Sequence, residues 1–152
     1  MTGATRGLTL VGGTGGAGDI MVTGTGGFVG LNGDGANILN NGSGKVTLNI
    51  SGPGSATSGE GIVVRDTVAG GAISVTAGAV TALTAGKDGI NVQALSLTGN
   101  LTEVANGNVS AGNAGMVAAI LPAAATGNID VTANGSITAR FEIGRASCRE
   151  RV

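Results

Sequence analysis

Short runs in which aliphatic residues alternate with small polar ones recur along the chain. Ile73-Ser-Val75-Thr and Ile129-Asp-Val131-Thr are two of them. A period of two places Ile73 and Val75 on one face of a strand and Ser74 and Thr76 on the other. No window carries a helical stripe of comparable quality. Met116–Ala125 comes nearest, but Pro122 interrupts it, and it is too short to span a membrane.

The runs are spaced regularly. Gly-x-aliphatic occurs at Gly18-Asp-Ile, Gly44-Lys-Val, Gly71-Ala-Ile, Gly99-Asn-Leu and Gly127-Asn-Ile, at intervals of 26, 27, 28 and 28 residues. Gly-aliphatic-x-aliphatic follows Asp34, Glu60 and Asp88, with weaker copies after Arg6 and Ala114. Its glycines stand at 7, 35, 61, 89 and 115. A third short apolar site lies between the two, at Phe28-Val29, Ala56, Val80, Val109 and Ile137. Two interleaved series with one mean period define a repeat of about 27 residues holding three short strands.

This pattern predicts an all-β chain, a parallel β-solenoid in which one unit is one coil. Equivalent strands of successive coils pair about 4.8 Å apart. A lone coil buries too few aliphatics to offset the entropy of ordering its backbone, so coils must stack. Ile20, Val46, Ile73, Leu101 and Ile129 are expected to form one inward column. Glycine is expected at corners with positive φ, and Asn-Gly at 41–42, 106–107 and 134–135 fits such corners. Two places depart from the repeat. Glu103 stands where the next unit has the inward-reading Val131, and Ser55-Ala56-Thr57 is poor in large apolar residues.

The chain opens within the third strand of one unit, at Gly7-Leu-Thr-Leu, and closes after the second strand of another, at Ile137-Thr-Ala. Four complete units, Gly18 to Thr126, lie between, so both ends read as cut from a longer solenoid. No charged segment followed by an apolar one marks a signal peptide.

Composition changes at residue 142. The last eleven residues, Glu142–Val152, hold three of the eight basic residues and the only Cys, Cys148. They reverse-translate into a string that looks like a common short-read sequencing adapter. Residues 1–141 are therefore read as the β-helix segment and 142–152 as a non-native tail, expected to lie outside the solenoid. Before the tail there is no Cys, and five basic residues face seven acidic ones. That balance excludes a nucleic-acid binder that neutralises phosphates. Charged residues are only 11% of the chain, and 41% is hydrophobic, which excludes a typical disordered segment.

Phrases such as Gly127-Asn-Ile-Asp-Val-Thr-Ala-Asn-Gly-Ser-Ile-Thr-Ala139 and Gly86-Lys-Asp-Gly-Ile-Asn-Val92 resemble the passenger domains of bacterial autotransporters and filamentous-haemagglutinin-like adhesins. The resemblance covers residues 7 to 139. It implies a right-handed parallel β-helix, secreted and displayed at the cell surface of a Gram-negative bacterium. It also implies a C-terminal outer-membrane barrel in the full-length protein. The expected partner is a host or neighbouring-cell surface or a polysaccharide. This chain has no barrel-type strands with aromatic girdles.

Candidate chemistry is sparse. Asn32-Gly-Asp-Gly-Ala-Asn-Ile-Leu39 loosely matches the calcium-binding nonapeptide of repeat toxins, but Asn37 stands where the Asp ligand belongs and no tandem copy follows. Asp34, Glu60 and Asp88 recur once per coil and could stack along one edge. Carboxylates about 5–9 Å apart could hydrolyse glycosides, but solvated corner residues are the plainer reading. Without His, the many Ser and Thr lack a catalytic base. Gly12-Gly13-Thr14-Gly15-Gly16 has no following helix to make a phosphate loop. Thr23-Gly24-Thr25 is similar to the Thr-x-Thr of flat ice-binding helices, but it occurs once. The sequence therefore predicts no catalytic, cofactor-binding or metal residues and no cofactor. It points to a non-enzymatic structural or adhesive segment. The alternatives are the non-catalytic part of a polysaccharide-active β-helix enzyme, a phage tail-spike, or an ice-binding solenoid.

Overall fold

Alternating strands, most of three to five residues, separated by small residues, wind this chain into a stack of three-strand coils. The computed structural model describes residues 1–121, 126–140 and 145–147. The chain enters through β1 (Thr2–Gly3) and β2 (Leu8–Val11). The next coils are β3 (Ile20–Gly24), β4 (Phe28–Gly30) and β5 (Ala36–Asn40), then β6 (Val46–Ile50), β7 (Gly54–Ala56) and β8 (Ile62–Gly70). They continue as β9 (Ile73–Ala77), β10 (Val80–Ala82) and β11 (Ile90–Leu97), then β12 (Leu101–Ala105), β13 (Val109–Ala111) and β14 (Met116–Ile120). The last are β15 (Ile129–Ala133), β16 (Ile137–Ala139) and β17 (Arg145–Ser147).

Every strand pairs in parallel with its equivalents one coil away. The first sheet runs β3-β6-β9-β12-β15, the second β1-β4-β7-β10-β13-β16 and the third β2-β5-β8-β11-β14-β17. The expected inward column is present: Ile20 pairs with Val46, Val46 with Ile73, Ile73 with Leu101 and Leu101 with Ile129. Leu8, Ala36, Ile62, Ile90 and Met116 form the matching column of the third sheet. Both departures from the repeat keep register. Glu103 pairs with Val75 and Val131, and Ser55 with Val29 and Thr81.

The second sheet differs in one position from the expected pattern. Gly54, not Ala56, aligns with Phe28 and Val80, while Ala56 aligns with Gly30 and Ala82. A Cβ built on Gly54 would overlap the Phe28 ring at its Cζ edge. The ring thus fills the space of two coils, and the register follows from that packing. Met116–Ile120 is a strand, and residues 122–125 of the weak helical window, Pro122 among them, lie outside the described residues.

Corner glycines serve a purpose other than the one expected. Among the described residues only Gly15 and Gly86 have positive φ, and no other residue type does. The Asn-Gly corners are built from ordinary backbone. The glycine series instead answers to close approach between coils. A Cβ on Gly7 would sit 2.6 Å from the Gly35 carbonyl oxygen, and one on Gly35 2.5 Å from that of Gly61. Coils spaced as strands of one sheet leave no room for a side chain there.

Arg145–Ser147 belongs to the stretch expected outside the solenoid. Its backbone instead pairs with Val117–Ala119 at the end of the third sheet. A parallel ladder needs only backbone groups, and the open edge of β14 offers them. The 141/142 boundary, Ile143 and Cys148 lie outside the described residues.

Candidate functional site

The carboxylates singled out in the sequence do line up. The corner leading into the third sheet stacks Arg6, Asp34, Glu60, Asp88 and Ala114, because the amide of the glycine after each one bonds the carbonyl of its counterpart in the next coil. These bonds run from Gly7 to Asp34, Gly35 to Glu60, Gly61 to Asp88 and Gly89 to Ala114.

Two of the three carboxylates are saturated with donors. Asp34 accepts from Arg6 Nε at 3.2 Å, Asn37 Nδ2 at 2.7 Å and the Glu60 amide at 3.1 Å. Asp88 accepts from Asn91 Nδ2 at 2.7 Å, Asn113 Nδ2 at 2.8 Å and the Ala114 amide at 3.1 Å. In both, one oxygen takes the amide of the coil stacked on it, so the carboxylate acts as a clamp between coils. The same clamp recurs at other corners. Asp19 accepts from the Lys45 amide at 2.8 Å, Asn100 from Asn128 at 3.2 Å and Asn108 from Ser136 at 3.1 Å. Asn134 Nδ2 donates to Asn106 Oδ1 at 2.9 Å. Corners interrupt the strand ladder, and Asp or Asn side chains supply the acceptors that the backbone there lacks.

Replacing Asp88 by Ala is therefore expected to lower stability by about 1–3 kcal/mol, because buried donors lose their acceptor. Asp88→Asn keeps one acceptor oxygen and should lose less. Urea unfolding of both variants checks this, and an Asp88→Ala protein as stable as the parent contradicts the clamp.

Glu60 is the odd member. It is half-buried, and although its amide donates to Asp34, its own carboxylate makes no clamp bond among the described residues. Burial raises its carboxyl above the usual range. Asp88 and Asp34 push it the same way, against the pull of Arg65 and Lys87. The Glu60 carboxyl is therefore shifted toward its protonated form. A glycosidase needs a second, available carboxylate beside such an acid, and Asp34 and Asp88 are both occupied.

The calcium-like segment is engaged in the same way. Asn37 donates to Asp34, and Asn32 Nδ2 donates to the Ala4 carbonyl at 2.8 Å. Among the described residues no three Asp, Glu, His or Cys converge to hold a metal ion. Thr23 lies on β3 and faces solvent. It belongs to a wider pattern on the outer face of the first sheet. One outward column is Met21, Thr47, Ser74, Thr102 and Asp130, and the next is Thr23, Asn49, Thr76, Val104 and Thr132. This face is rich in hydroxyls, with Asp130 its only charge.

Two buried acids lie inside the wall, and the repeat pattern singles out only one of them. Glu103 stands out as an acid at an inward phase. Asp66 continues the alternation of Ile62 and Val64 and so also turns inward, and that alternation is the signal by which it could be found. Asp66 is 1% exposed; its Oδ1 accepts the Val68 amide at 3.3 Å and its Oδ2 has no partner among the described residues. Burial raises its carboxyl, while the Val68 amide and the Asn40 side chain draw it down.

The described residues contain no helix long and apolar enough to cross a membrane. The chain matches no protein-family model, no curated protein and no solved structure.

Proposed function

We propose that this chain is a non-catalytic length of a secreted bacterial surface protein, serving as a stalk or as an adhesive passenger. The observation that carries this reading is the use of its recurring carboxylates. Asp34 and Asp88 each hold three donors, including an amide of the neighbouring coil. Groups in that role join coils and are not available to a substrate. The outer face of the first sheet offers hydroxyls and amides at the strand repeat, which suits weak, repeated contact with a polysaccharide or a cell surface. Placement at the cell surface, with a barrel anchor in the full-length protein, rests on the resemblance of the repeat phrases to autotransporter passengers.

The test is to incubate the full chain with a panel of plant and bacterial polysaccharides. No cleavage is expected, and Asp34→Asn, Glu60→Gln and Asp88→Asn should change stability only. Reproducible cleavage that any of these substitutions abolishes would establish the polysaccharide-active alternative instead.

A further inference from the structure

We propose that Glu103 makes the joint between the Leu101 coil and the Ile129 coil proton-dependent, closed around a neutral carboxyl and opened when that carboxyl ionises. Glu103 is fully buried, at 0% exposure, and neither of its carboxyl oxygens has a hydrogen-bond partner among the described residues. Its place is not an accident of a distorted strand. It sits at the regular inward position of β12, between Val75 of β9 and Val131 of β15.

Among the described residues no ionisable group inside the wall answers it. The inward residues of β9 are Ile73, Val75 and Ala77, and those of β15 are Ile129, Val131 and Ala133. β14, which packs against β12 across the core, turns Met116 and Ala118 inward. All are apolar. Asp130, the one carboxylate on these three strands, is exposed on the outer face of β15. Burial alone therefore drives the Glu103 carboxyl well above the usual range. As an acid it can stay inside at the cost of unmade hydrogen bonds; as a carboxylate it must reach water.

The least costly path to water is on the Ile129 side. In the coils before β12, Ile73, Val75, Val80, Ile90 and Val92 are all buried. In the coil after it, Ile129 and Ile137 are only partly buried, and Val131 is 37% exposed. The amide bonds that cross that joint include those from Leu101 to the Asn128 carbonyl, from Val109 to that of Ser136, and from Asn134 to that of Ala105. The closed joint keeps the proton and the open one releases it at an ordinary carboxyl pKa. Closure is thus strongest at acid pH and weakens as pH rises above that ordinary value, by about tenfold per unit for one proton. The weakening ends once pH passes the raised value of the closed state.

Amide hydrogen exchange of the full chain, corrected for intrinsic rates, tests this between about pH 5 and about pH 8. Protection at Leu101, Val109 and Asn134 should fall by about tenfold per pH unit, and fall less at Val46 and Ile62 in earlier coils. Glu103→Gln should remove the slope. Glu103→Val, which restores the residue type of its column, should keep the joint protected throughout and serves where the Gln variant does not fold. A flat profile in the parent protein, or a slope that persists in the folded variants, overturns the proposal.

Discussion

Phe28→Ala is expected to destabilise the protein by about 3–5 kcal/mol, at the upper end for a single core truncation. The ring is 1% exposed and is the one aromatic side chain among the described residues. Its size is matched by absence on either side. Gly54 stacks directly on it, and a Cβ on Gly35 would come 2.8 Å from ring atom Cε2. When the ring goes, these two neighbours have no side chains with which to fill the void, so the coil cannot collapse around the loss. Gly54→Ala should also destabilise, by about 1–3 kcal/mol, because the new methyl overlaps the edge of the ring. The two effects arise from one volume. Phe28→Ala combined with Gly54→Val should therefore cost less than the sum of the single changes, with a coupling of about 0.5–3 kcal/mol. A double-mutant cycle by urea unfolding measures it, and strict additivity would show that ring and glycine do not share the space.

The features of this fold that are legible in the sequence are those that each coil repeats. The column from Ile20 to Ile129 can be read because every coil must present an aliphatic at the same phase to the one above it. The second sheet is less legible. Its strands have two or three residues, too few for alternation to show which of Gly54 and Ala56 faces Phe28, and a ring that occupies two coils decides it. The roles of Asp34 and Asp88 are hidden for another reason. Each carboxylate is visible as a once-per-coil residue, but most of its partners are amides and side chains 25–28 residues away, on the adjacent coils. Only stacking shows that a residue resembling a solvated corner charge is a clamp. Glu103 is legible in phase and reads as a break in the pattern. The ladder keeps it in register, because parallel pairing depends on backbone groups and tolerates one acid in the wall as long as it stays neutral.

Glycine content, the most conspicuous property of the sequence, leads to the last expectation, which separates two reasons for glycine that the sequence does not distinguish. Gly61→Ala should cost about 1–3 kcal/mol or more. Its Cβ would meet the Gly89 carbonyl oxygen, fixed by the ladder, and Val80 Cγ1, fixed in the core. Neither can yield, since moving the carbonyl would push adjacent coils away from each other. Gly86→Ala meets open space, but its φ of +77° strains any L side chain, a cost of about 1–2 kcal/mol. Gly18→Ala meets open space at ordinary φ. It should be neutral or stabilising by up to about 1 kcal/mol, through loss of freedom in the unfolded chain. Urea unfolding of the three variants ranks them, with Gly18→Ala most stable and Gly61→Ala at or below Gly86→Ala. If Gly61→Ala proves as stable as Gly18→Ala, close coil approach does not account for the glycine column from Gly7 to Gly89. The pressure on those positions would then have to come from folding kinetics, which refolding rates of the same variants would reveal.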